Sequence, residues 1–194
     1  NISPVFDNNG KMINFIAFRS DITEQKKARL AIEESENRLF LAASNANLGL
    51  YDLYPQTDKG IVNRIWATQL KYNPEKISKP DGEWCAMEEA LKFYDTILHP
   101  ADKENVYKSL NEHFDGKTDL YKAEYRVKCG DGSWKWLLDV GKVIERNDKG
   151  EAERIMGIHM DIDEIKETEE ELQNINLLSD KALDLSKSVF WVFD

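Results

Sequence analysis

From about residue 120 the chain alternates with a period of two. Tyr121, Ala123, Tyr125, Val127 and Cys129 take turns with Lys122, Glu124, Arg126 and Lys128, as expected of a half-buried antiparallel strand. Gly130-Asp131-Gly132 supplies a hairpin turn, and Trp134, Trp136, Leu138 and Val140 share one face of the returning strand. Upstream the period lengthens. Residues 84–98 place Met87, Leu91, Tyr94 and Ile97 at helical spacing and stop at His99-Pro100, and residues 102–114 do the same with Val106, Leu110 and Phe114. Trp66, Leu70 and Tyr72 predict short helical turns. Two strands precede them, one at 48–54 with Gly49, Tyr51 and Leu53 on one face, and one around 61–63. The order is two strands, a group of short helices, then three strands, which is an α+β arrangement.

One passage occurs twice. DNNGKMINFIAFRSDITE near the start and NDKGEAERIMGIHMDIDE near the end align without a gap, with Gly150 and Asp161 each 140 positions after Gly10 and Asp21. Each copy reads as a turn rich in Asn, Asp and Gly, a short apolar strand, and an Asp-Ile-Thr or Asp-Ile-Asp step whose oxygens can cap a helix. Glu24 and Glu164 follow three residues after the capping aspartates, where a capping box or a favourable first-turn charge places an acid. At the same offset LYDLY at 50–54 falls on FWVFD at 190–194, so the chain reads as one whole unit of about 140 residues between two partial ones.

The stretches after these steps are rich in Glu, Lys, Arg, Ala and Leu and lack Gly and Pro, so both should be helical. Ile165, Thr168, Leu172, Ile175, Ser179 and Ala182 follow a heptad order in the second. Gln25, Ala28, Ile32, Ser35, Leu39 and Ala42 do so in the first. A seam this polar predicts weak dimerisation by either helix alone.

Composition narrows the field. With 26 basic and 36 acidic side chains the formal net charge is −10, which argues against a nucleic-acid or anionic-membrane surface. No apolar run reaches the roughly eighteen residues of a membrane span. Cys85 and Cys129 fit no zinc, haem-attachment or thioredoxin spacing, so a cytoplasmic chain with two reduced thiols is expected. The phosphate-binding loop, Gly-x-Ser-x-Gly and His-Glu-x-x-His patterns are absent, and no catalytic residue or metal cluster is assigned.

Four separated pieces, NLGLYDLY, the His99-Pro100-Ala101-Asp102 step, EYRVKCGDGSWKWLLDVGKVI and GIHMDID, resemble in order the PAS sensory domain with its C-terminal PAC segment. Asp163 departs from the usual threonine but can still cap. The resemblance implies a five-stranded antiparallel sheet flanked by short helices around a cavity, with long linker helices at both ends. It divides the chain into the last hairpin of a preceding unit (1–22), a linker helix (23–45), a complete PAS domain (46–163), a signalling helix (164–186) and the first strand of a following unit (187–194). It further implies a homodimeric sensor or relay in a multi-PAS bacterial-type protein whose output is a histidine kinase or, as runner-up, a diguanylate cyclase. Any membrane attachment would belong to the rest of that parent. Asp21, Ile22 and Thr23, and Asp161, Ile162 and Asp163, are then the joints that relay a state change. The cut strands at 12–19 and 189–193 are expected to pair with each other between molecules, or one of them to be disordered.

Tyr51, Trp66, Tyr125, Trp136, Met156 and His159 are the candidate pocket residues for a small organic acid or aromatic metabolite, the alternative being an empty pocket in a purely structural dimerisation domain. The cofactor stays open: none, haem on a histidine, or non-covalent flavin among the tryptophans. Cys85 lies in Glu-Trp-Cys-Ala, not in the Asn-Cys-Arg setting of a photochemical flavin domain. His99 reads as a locally bonded histidine beside Pro100. His113, between Glu112 and Asp115, reads as surface, and His159 can point to the cavity alongside Ile155 and Gly157.

Overall fold

The computed structural model describes residues 2–17, 20–77, 79–81 and 84–189, and the chain divides into two compact units, Asn1–Ala42 and Ala43–Asp194. In the first, β1 (Ile2–Phe6) and β2 (Met12–Ala17) form an antiparallel hairpin with Ile2 opposite Ala17, and α1 (Thr23–Asn45) follows. The strand at 12–17 thus pairs within its own hairpin rather than waiting for another molecule; Phe18 and Arg19 lie outside the described residues.

The second unit begins with β3 (Gly49–Tyr54) and β4 (Lys59–Asn63), then α2 (Arg64–Gln69), α3 (Pro74–Ile77), β5 (Lys79–Asp81) and β6 (Trp84–Glu88). It continues with α4 (Ala90–Ile97), α5 (Lys103–Phe114), β7 (Tyr121–Lys128), β8 (Trp134–Arg146), β9 (Ala152–Asp161) and α6 (Asp163–Val189). The sheet order is β5-β6-β4-β3-β9-β8-β7, antiparallel throughout. The first and last long strands are therefore neighbours at the centre, with Tyr51 opposite Gly157.

The five expected strands are present, and β5 and β6 extend the sheet to seven beyond β4. Residues 84–88 are strand, not the start of a helix. Cys85 and Met87 are buried while Trp84, Ala86 and Glu88 are exposed, a period of two that the coincidental Met87–Leu91 spacing disguises. Glu89 in the left-handed region turns the chain, and α4 is then capped from outside itself. The Asp58 carbonyl accepts from Ala90 N–H at 2.9 Å and its carboxylate from Leu91 N–H at 2.7 Å.

The repeat seen in sequence recurs bond for bond. Asp7 Oδ1 accepts from Asn9 and Lys11 N–H at 2.8 and 2.9 Å, and Asn147 Oδ1 accepts from Lys149 and Glu151 N–H at 3.0 Å each. Gly10 and Gly150 close these turns at φ +76° and +81°, where a side chain would be strained. At the exits, Asp21 Oδ1 accepts from Thr23 N–H at 2.9 Å and Asp161 Oδ1 from Asp163 N–H at 3.1 Å. Beyond the second exit α6 continues through residues 187–189, which the repeat had assigned to the next strand; residues 190–194 of that strand lie outside the described residues. Among the described residues no helix is long and apolar enough to cross a membrane.

Candidate functional site: an aromatic cavity under the sheet

The core lies between one face of the sheet and α2, α4 and α5, and it is incompletely filled, leaving a cavity of about 290 Å³. Two side chains position its wall. Asn63, 1% exposed, caps α2 with Oδ1 accepting from Trp66 N–H and also from Leu50 N–H, both at 2.9 Å, while its Nδ2 donates to Leu48 O at 3.0 Å. Trp66 is thereby fixed against β3. On the other side Asp102 accepts from Arg126 N–H and Nε at 2.9 Å and Nη2 at 2.6 Å, locking the start of α5 to β7. These bonds hold the Asp102 carboxyl below the usual range.

Leu53, Val62, Leu91, Val106 and Leu110 give the cavity an aliphatic wall; its inner end is polar. Asp139, 5% exposed, accepts from Tyr51 OH at 2.8 Å and from Tyr125 OH at 2.6 Å, with His159 Nε2 3.0 Å away. Trp66 Nε1–H donates to His159 Nδ1 at 2.6 Å. An indole nitrogen only donates, so Nδ1 is the acceptor and the imidazole proton sits on Nε2, facing Asp139. Tyr125 OH donates its hydrogen to the bond with Asp139, so Tyr94 OH, 2.8 Å away, donates to Tyr125. Burial, and after it chiefly the Asp139 charge, pushes the phenols of Tyr51, Tyr94, Tyr121 and Tyr125 up, so all four stay protonated well into alkaline pH. Tyr51 lies over the cross-strand glycine pair Gly141 and Gly157; a Cβ there would come within 2.2 and 2.3 Å of its hydroxyl. Side chains at either position would displace it.

Of the six residues expected from the sequence, Tyr51, Trp66, Tyr125 and His159 meet at this cavity. Trp136 and Met156 do not. Side chains alternate along a strand, and those facing inward are Leu137, Asp139 and Gly141 on β8 and Ile155, Gly157 and His159 on β9. Met156, 41% exposed, and Trp136 belong to the outer face. Asp139, Tyr94 and Tyr121 were not anticipated. The signal for Asp139 was available: an acid set inside the apolar run Trp136-Leu137-Leu138-Asp139-Val140 needs a buried partner.

The histidines are also accounted for. His113 is buried, 2% exposed, not at the surface: Nδ1 donates to Thr118 O at 2.9 Å and Nε2 accepts from Val143 N–H at 2.9 Å, tying α5 to β8. Both nitrogens of His113 and of His159 are engaged, leaving no lone pair for haem iron.

On the outer face, β8 holds the root of α6. Ile162 N–H donates to Trp136 O at 3.0 Å, and Trp136 N–H donates to Asp163 Oδ1 at 2.7 Å. Lys135 pairs with Asp161 and lies 3.6 Å from Asp163 Oδ2. Burial works against the Lys135 charge, but these carboxylates outweigh it and raise its pKa. Lys166 Nζ sits 5.4 Å from the Trp136 ring and bridges to Glu124 at 2.7 Å. Of the expected relay residues, Asp161, Ile162 and Asp163 converge on two residues of β8; Ile22 at the equivalent first joint is exposed.

Comparison with known proteins agrees with this architecture. A family model described as the PAS fold matches residues 85–159. A solved sensory box histidine kinase/response regulator from Burkholderia thailandensis E264 is 28% identical, with a TM-score of 0.60 over 76% of this chain and 98% of that one. The probable diguanylate cyclase DgcE of Escherichia coli K12 is 26% identical over 88% of this chain. The methyl sulfide methyltransferase-associated sensor of Methanosarcina acetivorans is 36% identical over 40% of it. This chain spans only 14% and 8% of the length of those two curated relatives. The second unit is a PAS sensory domain of the type found in signalling proteins.

Proposed function

We propose that this domain is a ligand-responsive relay that passes the state of its cavity through α6 to an output elsewhere in a longer signalling protein. One observation carries the reading: β8 serves both ends of the path. Asp139 on β8 anchors the polar end of the cavity, and Lys135 and Trp136, at the start of the same strand, hold the first turn of α6. A ligand that shifts Asp139 or its tyrosines pulls on a strand whose other end grips the exit helix. The exposed Leu172, Ile175, Leu178 and Leu185 of α6 suit pairing with a second copy in a parallel helical dimer. The output is a histidine kinase or a diguanylate cyclase, since relatives of both kinds carry the domain.

The test is Asp161→Ala in the full-length parent. Stimulus-dependent output should be lost while the isolated chain keeps its thermal midpoint within a few degrees; a parent that signals as before places the joint elsewhere.

A further inference from the structure

The hydrogen-bond inventory of the cavity determines what charge it accepts. The protons at the polar end are turned inward: Tyr51 and Tyr125 donate to Asp139, Tyr94 donates to Tyr125, the Tyr121 hydroxyl also bonds to Tyr125, and the His159 Nε2 proton faces Asp139. What remains toward the space is acceptor capacity, the outward lone pairs of the Tyr94 and Tyr51 hydroxyls. A proton on His159 Nδ1 would point at the indole N–H of Trp66, so the ring adds no positive charge. Among the described lining residues there is no lysine or arginine, while there are two acids, Asp139 at the inner end and Asp95 toward α5. Asp95 is compensated by Lys103 at 2.7 Å; Asp139 meets only neutral donors. Asn111, exposed on α5, is the lining residue with an uncommitted donor, far in character from an anion cradle. The remaining walls are aromatic faces and aliphatic side chains, which attract an organic cation and offer nothing to a carboxylate.

We propose that the cavity takes a small apolar amine, bound as its cation with the ammonium beside Asp139 and the tyrosine ring faces and the hydrocarbon against Val62, Val106 and Leu110. This replaces the organic acid expected from the sequence. It rests on reading the cavity as the sensory site.

The test is calorimetric titration of the whole chain at pH 7 with three probes of matched size, 2-phenylethylamine, 2-phenylethanol and phenylacetate, while hydrogen exchange is followed in α6. The amine should bind at least about tenfold more tightly than either of the others. Asp139→Asn should abolish that preference. Should Asp139→Asn fail to fold, Tyr94→Phe, which keeps the ring but removes an acceptor, should weaken the amine and leave the alcohol's affinity within about twofold. Phenylacetate or phenylethanol binding as well as the amine overturns the ligand class and leaves the relay standing. Amine binding without a change in α6 exchange upholds the class and overturns the relay. Failure of all three probes to bind overturns both.

Discussion

Trp66 and His159, 93 residues apart, share an indole N–H···Nδ1 hydrogen bond of 2.6 Å that decides the tautomer of the imidazole. Nitrogen-15 shifts of His159 should report an Nε2–H ring with Nδ1 as acceptor. Trp66→Phe leaves Nδ1 without its donor and opens space beside it, and should cost about 2–3 kcal/mol in urea unfolding. An Nδ1–H signal in the wild type would contradict the assignment.

Gly141 and Gly157 both face Tyr51, but a double-mutant cycle should separate them. At Gly141 a Cβ meets the Tyr51 hydroxyl at 2.2 Å and nothing else closer than 3.3 Å, so Gly141→Ala should be at least about 1 kcal/mol less damaging when Tyr51 is already Phe. At Gly157 the Cβ also meets the ring carbon at 2.4 Å and Val140 O at 2.5 Å, so no such relief is expected. Equal coupling at both glycines would refute this packing.

Alkali should unfold the domain as its tyrosines ionise. Unfolded phenols titrate near pH 10, whereas burial and the Asp139 charge raise Tyr51, Tyr94, Tyr121 and Tyr125 in the folded state. Their contribution to stability is complete below about pH 10 and falls above it, by up to ~1.4 kcal/mol per pH unit for each group. Phenolate absorbance and loss of near-ultraviolet circular dichroism should rise together; four phenols ionising in a folded domain near pH 10 would count against the network.

Acid acts through a different pair. The Arg126 bonds depress the Asp102 carboxyl, so its stabilisation is present above the unfolded value near pH 4 and fades as pH falls through the lower folded value. Asp102→Asn should lose about 1–2 kcal/mol at pH 7, and the gap from wild type should narrow below about pH 4. A gap independent of pH would assign the loss to packing instead of charge.

Lys135→Met keeps the apolar stem but removes the ammonium that faces Asp161 and Asp163. Hydrogen-exchange protection in the first two turns of α6 should fall about tenfold while β7, β8 and β9 keep theirs. Unchanged protection would show that the backbone bonds to Trp136 suffice.

Much of this structure was legible because periodicity and turn chemistry are local. The alternation from Tyr121 to Cys129 marked β7, Gly130-Asp131-Gly132 marked the hairpin, and the matching turns at Asp7 and Asn147 announced themselves by repetition. What failed was parity and partner. In β8 Trp134, Trp136, Leu138 and Val140 form the more apolar face, yet the inward face carries Asp139 and Gly141, residues that look unsuited to a core until three donors and a tyrosine ring from other strands are supplied. In β6 a methionine four residues before a leucine imitated a helix, and only the pairing of Val62 with Cys85 overrides it. The cap from Asp58 onto α4 spans 33 residues and has no sequence signature.

The joint between strand and helix is the same object at Asp21 and at Asp161: one carboxylate oxygen bonded to the amide two residues on, followed by a long helix. Removing residues 22–161 would fuse Asp21 directly to Ile162 and regenerate an Asp-Ile-Asp step at the helix entry. A deletion or duplication between the two joints therefore keeps the turn, the strand and the acidic step into the helix in the same order at the seam.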